Sequence, residues 1–248
     1  MKPAKAKKPA AKPAKRLAVM TGAAIPVLRW PPDQDRVEAI FKRLSGVMPE
    51  PKTELDFSNP FTLVVAVALS AQATDVSVNK ATERLFKVAD TPEKMLALGE
   101  EGLIPYIASI GLYRGKARNV IALSRIVLEQ HGGEVPLNRA DLQALPGVGR
   151  KTASVVLNEL GIEAAIAVDT HVFRVSHRLG LANAGTPDKV EAQLFKVVPE
   201  DWLPKAHHWL ILHGRYTCTA RKPKCLSCII ADQCPSRAGL MALGEAAS

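Results

Sequence analysis

Residues 144–158 read ALPGVGRKTASVVLN, and residues 109–123 read SIGLYRGKARNVIAL. Both run from a helix end through a glycine turn and a basic residue into a new apolar helix, so the chain carries two candidate helix-hairpin-helix units. Any two antiparallel helices joined by a glycine turn share that outline, and the second copy is the more informative. In it, Gly147 and Gly149 flank Val148. The valine can anchor the turn in the core while the glycines take backbone angles denied to other residues and let an anion come close. The helix that starts near Arg150 turns its free amides and the positive end of its dipole toward that anion. A DNA backbone phosphate fits the description, whereas the glycine spacing is not that of an ATP-binding loop.

The rest of the chain is punctuated as helices. Asn59, Thr91 and Thr186 each precede a proline, pairing a capping side chain with a first residue that has no amide to lose. Gly99, Gly132, Gly161, Gly180 and Gly214 fall where helices should stop. No run alternates apolar and polar residues as a half-buried strand would. The reading is all-α, with nine or ten helices joined by short loops. The longest apolar run, Phe61 to Ala73, is interrupted by Thr62, Ser70 and Gln72 and is far shorter than the roughly 20 residues that cross a bilayer; it reads as a buried helix.

Composition narrows the class without choosing a function. With 248 residues, 47% hydrophobic and 23% charged, the chain has the profile of an ordinary globular protein of one or two domains. The formal charge is +9, but Lys2, Lys5, Lys7, Lys8, Lys12, Lys15 and Arg16 stand in a stretch with no acid, which leaves +2 for the remainder. Residues 1–28 therefore read as a disordered basic arm, either a nonspecific DNA tether or a solubilising extension. The arm has neither the apolar core of a secretory signal nor the Arg/Ser pattern of a transit peptide, so a bacterial cytoplasm is the expected compartment.

Lys151 lies in the first turn of the hairpin helix. There the dipole and neighbouring Arg150 both disfavour an ammonium, and a neutral amine is a nucleophile. The plainer reading is a surface lysine pairing with phosphate. Asp169, in IAVDTH, favours chemistry: it follows the apolar stretch 164–168 and precedes a helix pattern, a position for an ionised N-cap. A fixed carboxylate and a neutral lysine suit reaction at a sugar carbon, the carboxylate supporting departure of a base and the amine attacking the anomeric carbon.

Cys218, Cys225, Cys228 and Cys234 are the chain's four cysteines, spaced C-x6-C-x2-C-x5-C within 17 residues. Such clustering without a secretion signal argues for metal over disulfides. Zinc usually takes two C-x2-C knuckles or a Cys/His mixture. A single C-x2-C between longer spacers suits one loop wrapped around a [4Fe-4S] cube better. Arg221, Lys222 and Lys224 fill the loop between the first two cysteines, a platform for phosphates.

LPGVGRKTA, AVDTHVFRV, SAQATDVSVNKAT and HHWLILHGRYTC, running into the four cysteines, together resemble the endonuclease III family over about residues 35–235. The resemblance implies two helical domains with duplex DNA in the cleft between them: a six-helix domain over 53–163, and an iron-sulfur domain built from 29–52 and 164–240. It implies a monomeric base-excision-repair DNA glycosylase that removes oxidised pyrimidines. Lys151 would then be a Schiff-base nucleophile, Asp169 its partner, and β-elimination would nick the abasic strand. Gln72 and Leu112 match positions that fill the vacated base stack, and His171 resembles a further site residue. Gly147, Gly149 and Arg150 would hold the backbone. His207, His208 and His213 read as packing or surface residues. A noncatalytic binding module would require loss of Lys151 or Asp169, and both are present. Adenine-specific relatives carry a further C-terminal domain, for which the 14 residues after Cys234 leave no room.

Overall fold

The computed structural model describes residues 28–245, and the basic arm expected over residues 1–28 lies almost wholly outside them. Among the described residues there are eleven α-helices, three short 3-10 turns and no strand. The chain divides into two compact units, one comprising Pro51–Ala167 and the other the residues up to Glu50 together with those from Val168 onward. No described helix is long and apolar enough to cross a membrane.

The Pro51–Ala167 unit is built on α2 (Pro60–Leu69), whose residues from Phe61 to Leu69 are all buried. Asn59 starts it with a capping box: its side chain accepts from the Thr62 amide at 2.9 Å, and Thr62 Oγ1 accepts from the Asn59 amide at 3.0 Å. The unit also holds α3 (Asp75–Leu85), α4 (Pro92–Ile107), α5 (Tyr113–His131), α6 (Arg139–Ala144) and α7 (Arg150–Glu159), of which α3, α5 and α7 pack on α2. Leu63, Val64, Met95, Leu103, Val120, Leu123, Val148 and Leu157 share one continuous core.

In the other unit, α1 (Gln34–Val47) buries Val37, Ile40, Phe41 and Leu44, the i, i+3, i+4, i+7 stripe of an amphipathic helix. It is followed by α8 (Thr170–Arg178), α9 (Pro187–Val197), α10 (Leu203–Tyr216) and, past the cysteines, α11 (Arg237–Glu245). Phe41 meets Trp209 of α10 at 6.1 Å between ring centroids. The Trp209 indole donates to the Met48 carbonyl at 2.8 Å, tying α10 to the end of α1.

At Gly99, non-helical at φ +66° and ψ 175°, one helical stretch of α4 ends and another begins, as expected of a stop. The expected punctuation differs from the structure in two places. Gly214 lies within α10, and its role is close packing: a Cβ there would stand 3.0 Å from His171 Cβ and 3.1 Å from Val175 Cγ2 of α8. Thr186 occupies the N-cap of α9 but makes no side-chain cap bond. The helix count exceeds nine or ten because α6, of only six residues, is too short for its periodicity to register in the sequence.

Candidate functional site

The hairpin turn lies between α6 and α7. Val148 is buried beneath it, as expected of the turn's anchor. Only one of its two glycines takes a restricted backbone angle: Gly147 has φ +81°, whereas Gly149, the N-cap of α7, is extended at φ −83° and ψ 179°. A Cβ on Gly147 would also come within 3.1 Å of Asn119, while one on Gly149 would meet nothing within 4 Å. Gly147→Ala is thus expected to cost about 1–2 kcal/mol of stability. Gly149→Ala should stay within about 0.5 kcal/mol. Thermal or urea unfolding of both variants checks the contrast, and equal losses would refute it.

No side chain caps α7, so its first amides are available to a ligand. Arg150 and Lys151 are its first two residues, and both are exposed. The same lack of a side-chain cap recurs at α5, where the N-cap is Leu112 itself, at φ +61°. Leu112 is 68% exposed, an unusual place for a leucine. Gln72, exposed in the turn between α2 and α3, is the other non-glycine residue with positive φ among the described residues, at +57°. Gln72, Leu112 and Gly147 line one cavity, so residues far apart in the chain are brought together.

Asp169, in the other unit, is the N-cap of α8, and its Oδ1 accepts from the amides of His171 at 2.8 Å and Val172 at 2.7 Å. Both bonds fall on one oxygen, which fixes the carboxylate while Oδ2 takes neither. His171 Nδ1 lies 3.2 Å from an Arg174 guanidinium nitrogen.

Cys218, Cys225, Cys228 and Cys234 are all free and line a common cavity. Burial, the leading cause, pushes the Cys234 thiol up to about 11, with the neighbouring sulfurs adding to it. Among the described residues no three His, Cys, Asp or Glu side chains close on a point as one metal ion requires. Four thiols around one cavity supply one ligand to each iron of a cube.

Arginines that sequence reading passed over hold this loop. Arg178, fully buried in α8, donates to Cys218 Sγ at 3.4 Å and to the carbonyls of Thr219 at 2.7 Å and Ala220 at 2.8 Å. Arg174, one turn earlier, donates to the Cys218 carbonyl at 3.1 Å and the Gly214 carbonyl at 2.7 Å. Arg36 of α1 reaches the Leu179 and Gln233 carbonyls at 2.7 and 3.0 Å. Their signal was two arginines four apart among apolar residues in VFRVSHR. His207, His208 and His213 are buried, not on the surface. Burial drives the His213 imidazole down to about 4, and its Nε2 lies 3.8 Å from Cys228 Sγ.

Residues 65–200 match the HhH-GPD superfamily of base excision DNA repair proteins, and residues 218–234 match the iron-sulfur binding domain of endonuclease III. Endonuclease III of Escherichia coli strain K12 is 60% identical over 195 residues, covering 79% of this chain and 92% of that protein. The chain belongs to the endonuclease III family. Endonuclease III of Rickettsia conorii is 57% identical over 198 residues, covering 80% and 94%. The solved structure of a trapped endonuclease III–DNA covalent intermediate superposes with a TM-score of 0.78 at 42% identity, covering 85% of this chain and 99% of that one. A thermostable thymine-DNA glycosylase, at 21% identity and TM-score 0.69, shares the fold. As a member of the endonuclease III family, the protein is a DNA glycosylase and lyase of base excision repair, and its four cysteines hold a [4Fe-4S] cluster.

Proposed function

We propose that the protein excises oxidised pyrimidines from duplex DNA and cleaves the resulting abasic strand through a Schiff base on Lys151. The exposed position of Lys151 in the first turn of an uncapped helix, directly after the glycine hairpin, carries this reading. Phosphate binding at the hairpin amides positions the strand, and the damaged nucleotide is extruded, at a cost of a few kcal/mol that is least for a poorly stacked base.

The neutral Lys151 amine attacks C1′ of the damaged nucleotide. The C1′–N bond breaks, and the base leaves with the bonding pair and takes up a proton. Asp169 stabilises the positive charge that develops on the sugar and can relay the proton; its double capping bond on Oδ1 supports its being held in place. Expulsion of the ring oxygen then gives an iminium on Lys151. Loss of a C2′ proton ejects the 3′ phosphate, and water releases the unsaturated sugar. Gln72 and Leu112 enter the stack vacated by the extruded base, and His171 belongs to the same DNA-facing set. Arg150, Gly147 and Gly149 engage the backbone. The cluster holds the basic loop of Arg221, Lys222 and Lys224 in a shape that meets phosphates.

The same proposal makes the protein a monomer composed of an iron-sulfur domain and a six-helix hairpin domain, acting at the nucleoid in a bacterial cytoplasm. The bacterial origin of the relatives supports that location. The test is duplex DNA carrying one thymine glycol, incubated with protein and resolved on a denaturing gel with and without borohydride. A nicked strand plus a trapped adduct is expected; binding with neither product would overturn the reading.

A further inference from the structure

His213 lies on α10 and is only 7% exposed, and the excision chemistry proposed above gives its ring no task. It lines the cavity shared by Cys218, Cys225, Cys228 and Cys234, and among the described residues it is the only ring-bearing acid or base in those walls. Its Nε2 stands 3.8 Å from Cys228 Sγ, within reach of an N–H···S bond to so large an acceptor. The main chain fixes where the ring stands. The His213 carbonyl accepts from the Thr217 amide at 3.0 Å and from the Cys218 amide at 2.7 Å, so the residue that faces the third cysteine also ties down the first.

Four cysteines already provide one ligand for each iron of a cube, so the ring is not required as a ligand. A thiolate bound to iron carries no proton and can only accept, and the nitrogen that faces it is therefore the protonated one. Arg178 of α8 makes a comparable contact with Cys218 Sγ at 3.4 Å. The two donors differ in kind. A guanidinium brings a full charge that acts on all the sulfurs around it, whereas an imidazole N–H acts chiefly on the one sulfur it touches.

We infer that His213 donates a hydrogen bond to the Cys228 thiolate of the loaded cluster and thereby raises the cluster's reduction potential. An added electron makes the sulfurs of a cube more negative. A donor aimed at one of them stabilises the electron-rich state more than the electron-poor one, and hydrogen bonds to sulfur are among the levers that set such potentials. Burial of His213 strengthens the effect, because water does not compete for the bond and the local dielectric is low.

The first test uses intact wild-type protein carrying its cluster, grown on histidine isotope-labelled at the ring nitrogens. Radiolytic electrons in frozen solution add one electron to the cube, with no proton taken up and no iron–sulfur bond broken, and pulsed electron paramagnetic resonance then reads the couplings to labelled nitrogen. A weak coupling is expected, and since no other histidine lines the cavity it would come from His213. No coupling, or one as strong as a nitrogen bound to iron gives, would overturn the inference. The second test is protein-film voltammetry of His213→Phe, which keeps a ring and removes the donor. Iron per protein should match wild type while the potential falls by about 59 mV, a tenfold change in the ratio of reduced to oxidised cluster for a one-electron couple. His213→Gln, which keeps an N–H donor, should recover part of that fall. An unchanged potential at full iron content would overturn the inference, and so would equal falls in the two variants, which would assign the effect to packing. Should His213→Phe lose its cluster, the labelled wild-type protein decides by itself.

Discussion

Replacing Lys151 by glutamine is expected to abolish borohydride trapping on abasic DNA while leaving duplex binding nearly intact. The side chain is exposed in the first turn of α7, and glutamine is about as good a helix former as lysine, so the fold should hold within about 0.5 kcal/mol. In the proposed reading Gly147, Gly149 and Arg150 remain to engage the backbone, and one lost cation should lower the salt slope of binding by about one unit. The chemical step has no such reserve. An amide nitrogen cannot form the iminium, so both strand cleavage and trapping should fall by roughly a thousandfold or more, the scale on which loss of a nucleophile acts. Trapping at the wild-type level would remove Lys151 from the mechanism. Lost binding together with lost trapping would show instead that the lysine is a phosphate contact.

The sequence exposed those parts of the molecule whose chemistry is local. Capping by Asn59 and Thr91, the anchor Val148 and the N-cap Asp169 each depend on a few neighbouring residues, and each is found where the sequence puts it. The four cysteines are equally legible because their spacing lies within a single loop. What stayed hidden depends on packing between distant segments. Gly214 has the look of a helix stop until α8 is laid across it. Lys116 has the look of a surface lysine on an amphipathic helix until the Gln72 and Gly147 turns close over it. Gly149 shows the reverse error: a glycine in a glycine turn suggests a restricted angle, yet the backbone there is one any residue can adopt.

The buried arginines carry the second large expectation, because they join the helix that bears Asp169 to the loop that bears the cluster. Arg178 donates to the Thr219 and Ala220 carbonyls and to Cys218 Sγ, so Arg178→Met removes three bonds at once and leaves two carbonyls without their charged partner. Each stranded carbonyl costs about 1–3 kcal/mol, which in a protein of this size lowers Tm by roughly 5–20 °C. The loss should reach the metal as well. The thiolate of Cys218 would lose the buried positive charge beside it, and the loop that presents the next two cysteines would lose its anchor. Iron content and visible absorbance per protein are therefore expected to drop together with Tm, and Arg178→Lys, which keeps the charge but not the fork, should recover them only partly. Arg178 and Asp169 sit on the same short helix, so loosening the loop should also slow base removal, by a smaller factor than the Lys151 substitution. A variant with full iron and unchanged Tm would show that the cysteine loop holds its shape through the cluster alone, with the arginine merely filling space beneath it.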